Sequence, residues 1–95
     1  MLKESKQPPK LDKPKKISST ALKAHQEGEK LVRQDKLPQA ISLFRQVLRE
    51  AKDYLPSQQA LGNVLGRLGK KAFEERDYEL AESYLEEAHG LIPEE

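Results

Sequence analysis

Ninety-five residues, 36% hydrophobic and 35% charged, suffice for one small domain with a modest core and leave no room for a deep catalytic cavity. With no cysteine, disulfides, thiolate metal sites and cysteine nucleophiles are excluded. The net charge of +1 hides an uneven spread: residues 1–16 sum to +4, residues 17–73 to +5, and residues 74–95, with nine acids against Arg76, to −8.

The chain opens "MLKESKQPPK", without the apolar run of a signal peptide, and no stretch reaches the roughly 18 apolar residues of a membrane span. A cytoplasmic location is expected. Residues 1–17, rich in lysine and proline, cannot bury enough surface to offset their ordering entropy and read as a disordered tail. Residues 18–95 form the expected folded domain.

The first helix starts with a cap at Ser18, Ser19 or Thr20, none followed three residues later by the Glu of a capping box. Ala21, Ala24, Gly28, Leu31 and Val32 recur along it at helical spacing. Pro38 suits the first turn of a second helix, which carries Ala40, Ile41, Phe44, Val47, Leu48 and Ala51 on one face. A third helix begins near Pro56 or Ser57 and runs to about Glu75. The fourth follows Asp77, a good cap, and should bury Leu80, Ala81, Tyr84, Leu85 and Ala88 before Gly90 stops it. Nothing alternates with period two for long enough to form a strand. The fold class is all-α.

The third helix contains "LGNVLGRLGKK", whose glycines and lysines invite comparison with a phosphate-binding loop. Such a loop needs G-x-x-x-x-G-K followed by Ser or Thr, after a strand. Here Val64 and Lys71 occupy the places of the first glycine and the hydroxyl, and no strand precedes them. On a helix, Gly62, Gly66 and Gly69 fall within an arc of about 60°, forming a smooth stripe that a neighbouring helix can approach closely. The expectation is that all three pack.

The two helix pairs lie over each other by their small residues. Gly28, Ala40, Phe44 and Val47 correspond to Gly69, Ala81, Leu85 and Ala88, at a constant offset of 41 residues. With Leu65, Leu68, Ala72, Tyr78 and Pro93, this pattern resembles the tetratricopeptide repeat, in which small residues sit where paired helices touch. The resemblance covers residues 21–93 and implies two helical hairpins in a short α-solenoid. The offset exceeds the family period of about 34 by seven residues, close to two helical turns. We assign the excess to "DYLPSQQ", as a lengthened third helix. The first copy also departs from the family by carrying Ala24 and Glu27 at positions where larger apolar residues are preferred.

The family's architecture implies a non-enzymatic interaction module, an adaptor or an assembly or chaperone-like factor, that binds a polypeptide on its helical surface. In that family the first helix of each pair faces the ligand. The corresponding residues are His25 and Glu29 around Gly28, and Asn63, Arg67 and Lys70 on one strip of the third helix. The lysine and asparagine of the family's carboxylate clamp are not present at 25 and 29. Three adjacent donors on the third helix favour an acidic segment, while the plain alternative is a solvated face. His25 and His89 read as surface histidines with no triad or metal partners, and the aromatic residues as core or hairpin contacts. No catalytic residue, metal or cofactor is expected. Leu85, Leu91 and Ile92 have no further helix to cover them, which points to self-association or a covering partner. The alternative function is a nucleic-acid or anionic-surface binder that uses the lysine-rich tail; lacking arginines and aromatics there, nucleic acid is not the expected partner.

Overall fold

The computed structural model describes residues 17–91, and within them the chain is all-helical. The helices are α1 (Ser19–Arg33), α2 (Leu37–Glu50), α3 (Leu55–Glu74) and α4 (Tyr78–Gly90). They form two antiparallel hairpins, α1–α2 and α3–α4, with α3 laid against α2 and touching α1 more lightly. The Lys/Pro-rich segment up to Lys16, and Ile92 and Pro93, lie outside the described residues. Ile17, assigned above to the tail, is partly buried against Ala21, Ala24 and Val47.

The helix starts follow local chemistry, with one long-range addition. The Ser18 hydroxyl accepts the Ala21 N–H at 3.0 Å, an ordinary N-cap. The backbone N–H of Ser18, which a capping-box glutamate would take, is instead received by Glu50 at 2.8 Å, and the Ser18 hydroxyl donates to the same carboxylate at 2.9 Å. Glu50 ends α2, so this carboxylate completes the cap of α1 and closes the hairpin at once. Pro38 and Pro56 occupy the first turns of α2 and α3. Asp77 caps α4 by accepting the Leu80 N–H at 3.3 Å.

Both hairpin turns have the same construction. Lys36 N–H reaches Leu31 O at 2.8 Å and Asp35 N–H reaches Val32 O at 2.9 Å; 41 residues later Asp77 N–H reaches Ala72 O at 2.8 Å and Arg76 N–H reaches Phe73 O at 3.0 Å. These are Schellman closures, and the residue each one places in the left-handed region is not glycine but Asp35 (φ 63°) and Arg76 (φ 67°). Glycine does not close α4: Gly90 remains within the helix, Leu91 caps it with right-handed backbone, and no glycine has positive φ. With the turns aligned, α1 and α3 end in register, and the five residues by which α3 is longer are Leu55–Gln59 at its start. Of the seven inserted residues, Asp53 and Tyr54 lie in the loop.

The main core lies between the hairpins: Leu37, Ile41 and Phe44 of α2 meet Leu61, Val64 and Leu65 of α3. The glycine contacts repeat as well. A Cβ at Gly28 would lie 2.7 Å from the Phe44 ring, and one at Gly69 would lie 2.9 Å from Leu85 Cδ2. Gly62 and Gly66 behave otherwise, since a Cβ at either would meet nothing within 4 Å. The expectation of a fully packed glycine stripe is therefore corrected: only Gly69 lies against α4, because the stripe spans both the α4-facing side of α3 and the open side beyond it.

Candidate interaction surface

The five residues singled out from the sequence do not converge. His25 is buried rather than exposed, at 6% of its accessible surface. Its Nδ1 lies 2.8 Å from the hydroxyl of Ser57, which is wholly buried, and its Nε2 lies 3.2 Å from a carboxylate oxygen of Glu29. With Nε2–H donating to Glu29, Nδ1 accepts the Ser57 hydroxyl proton, so both ring nitrogens are satisfied. The ring also stacks obliquely on Phe44 and edge-on to Tyr54. Serine, histidine and glutamate in line resemble a nucleophilic triad, but no substrate can reach a hydroxyl with zero exposure. The arrangement ties α1 to the extension of α3. His25 is thus removed from the surface set, and Glu29 is its exposed anchor.

Asn63, Arg67 and Lys70 are exposed along α3. Arg67 reaches Asp35 at 3.4 Å, a weak pair between largely exposed groups that contributes at most about 1 kcal/mol. A stronger fork joins Arg45 of α2 to Glu87 of α4: Nε donates to one carboxylate oxygen at 2.8 Å and Nη2 to the other. The hydrogen bonds to Glu87, and the charge behind them, raise the Arg45 pKa further despite an opposing desolvation effect, so the guanidinium is charged at every ordinary pH. It spans two helices that have no backbone contact of their own.

The exposed apolar surface gathers instead on the outer side of the second hairpin. Phe73 is 60% exposed, Tyr78 55% and Leu85 48%, with the Phe73 and Tyr78 rings edge-to-face at 5.3 Å. Leu80 is also exposed, so α4 fully buries only Ala81, with Tyr84 and Ala88 half-buried. Leu91 is half-buried against the main core rather than left uncovered. A groove of about 700 Å³ runs between Leu55, Gln59, Gly62 and Asn63 of α3 and Leu85 and Ala88 of α4. A second depression of about 490 Å³ adjoins it across Leu85 and His89, bordered by Phe73, Tyr78, Glu82 and Glu86. Together they make a trough that follows α4 through Leu85 and His89, from the start of α3 at Leu55 to the Phe73–Tyr78 pair.

The sequence contained a signal for this face that hydropathy alone does not reveal. At the 41-residue offset, Val32, Leu37 and Phe44 become Phe73, Tyr78 and Leu85. The first set is covered or partly covered in the folded chain, and the second is open. Among the described residues no group of three His, Cys, Asp or Glu side chains could hold a metal ion, and no helix is long and apolar enough to cross a membrane. No family model matches the chain, and neither the curated proteins nor the solved structures include a significantly similar one.

Proposed function

We propose that this chain is a non-enzymatic protein-interaction module of tetratricopeptide type, an adaptor or assembly factor that binds a polypeptide on its helical surface. The observation that carries the reading is the open apolar trough of the second hairpin: Phe73, Tyr78 and Leu85 lie exposed in one patch. Isolated exposed apolar residues are ordinary, but a contiguous patch with a charged rim is the usual mark of an association surface. The repeated turns and the paired Gly28–Phe44 and Gly69–Leu85 contacts support the family resemblance at the level of backbone and packing.

Affinity capture with the full chain and with residues 17–95 tests this function. Selective recovery of one polypeptide by both, lost in Phe73→Ser/Tyr78→Ser at unchanged helicity, is the expected result. Recovery that requires residues 1–16 and falls steeply with salt, accompanied by binding to unrelated DNA sequences, would replace it with the tail-mediated reading.

A further inference from the structure

The first hairpin displays how its own trough is filled. Leu37, Ile41 and Phe44 of α2 are covered by Leu61, Val64 and Leu65 of α3, and His25 of α1 is met by Ser57. The 41-residue correspondence puts Tyr78, Glu82 and Leu85 on α4, and Gly66 on α3, at the places of Leu37, Ile41, Phe44 and His25. Building on the polypeptide-binding reading, we propose that the α3–α4 trough receives an amphipathic helix of another protein, with an apolar stripe flanked by lysine or arginine, seated as α3 is seated on α1–α2.

Three observations fix the chemistry of that helix. Gly62 and Gly66 leave open space where a side chain would stand, so a helix can approach the α3 backbone closely. Leu85 and Tyr78 offer apolar contact on the α4 side. Glu82 stands where the first hairpin has buried Ile41, with Glu86 beside it, and α4 contains no lysine or arginine. Covering a carboxylate without a partner is costly, so the incoming helix must bring a cation to this edge.

A second copy of the chain does not meet these terms. Of the α3 residues that fill the first trough, Leu61, Val64 and Leu68 have exposed polar counterparts on α1, Thr20, Lys23 and Glu27, and Leu65 has Ala24, already buried in its own hairpin. Head-to-tail stacking therefore lacks an apolar plug. A two-fold contact of α4 on α4 would set Glu82 and Glu86 against themselves.

Two synthetic 20-residue helices provide the test, each with leucines at the spacing of residues 61, 64, 65 and 68 and a terminal fluorophore, one flanked by lysines and the other by glutamates. Their anisotropy is titrated with the full chain. The lysine-flanked helix is expected to bind at least tenfold more tightly, Glu82→Lys/Glu86→Lys to reverse the preference, and Gly66→Leu to abolish binding of both at an unchanged melting profile. Equal binding of the two helices, sensitive to Gly66→Leu, would overturn the basic partner and leave the polypeptide-binding reading standing. Binding indifferent to Gly66→Leu would overturn the seat. Failure of both helices to bind would overturn the inference, and with an empty affinity capture the function as well. Sedimentation showing a dimer dispersed by Gly66→Leu would name a second copy as the occupant and overturn the inference.

Discussion

Asp35 and Arg76 stand at φ 63° and 67°, where a Cβ crowds the following carbonyl and glycine is free of the penalty. Arg76→Gly is expected to stabilise the fold by about 1 kcal/mol, read as a rise in melting temperature of about 4–8 °C by circular dichroism. Asp35→Gly should gain less, because it also removes the carboxylate that faces Arg67. The glycines divide the same way once their surroundings are known. A Cβ at Gly28 would press into a Phe44 ring with zero exposure and no room to yield, so Gly28→Ala should cost about 1–3 kcal/mol despite alanine's better helix propensity. Gly66→Ala, with nothing within 4 Å, should add about 1 kcal/mol. Opposite shifts in denaturant midpoint for these two variants are the check. A loss of stability in Gly66→Ala would mean that α3 is covered on that side.

Between elements, two polar links hold what apolar packing alone leaves loose. Glu50 completes the α1 cap from the end of α2, so Glu50→Gln should fray α1 at its first turn and cost about 0.5–2 kcal/mol. Amide exchange is the suitable readout, and the protection lost should be confined to residues near Ala21. The His25–Ser57 bond is buried, so Ser57→Ala leaves an imidazole nitrogen without its partner and should cost about 1–3 kcal/mol. A cycle with His25→Phe distinguishes this from a simple packing loss, since the second substitution should remove most of the penalty of the first. Additive costs would mean that the hydroxyl contributes nothing through the histidine. Neither link was legible in the sequence: Ser18 and Glu50, like His25 and Ser57, are 32 residues apart, and only the packing of the helices brings them together.

At the scale of the whole molecule, the two ends of the helical stack differ in kind. The outer side of α1 carries Thr20, Lys23 and Glu27, whereas the outer side of the second hairpin carries Phe73, Tyr78 and Leu85. Among the described residues, then, the α1 side is polar and the second hairpin presents an open apolar trough. Thr20→Leu/Lys23→Val/Glu27→Leu, which copies the α3 stripe onto α1, should therefore let chains stack head to tail. Light scattering should register oligomers that lengthen with concentration, while the parent remains small. A triple variant indistinguishable from the parent would show that the trough does not accept a helix of that pattern.

Four helices, a first cap among Ser18, Ser19 and Thr20, starts near Pro38, Pro56 or Ser57, and Asp77, and the 41-residue correspondence follow from the sequence by itself. Caps, prolines and helical periodicity act within a few residues, and that is the range over which a sequence can be read directly. The sequence also places the extra residues at the start of α3, because the two turns must align. Only the tertiary structure decided which apolar residues are covered. Val32 and Phe73, Leu37 and Tyr78, and Phe44 and Leu85 are equivalent by spacing, yet the first of each pair is buried or half-buried and the second is exposed. Burial depends on what packs outside a helix, a property of its neighbours rather than of its own residues. For the same reason His25, on paper a surface histidine, became a core residue once α3 brought Ser57 and its helix against it.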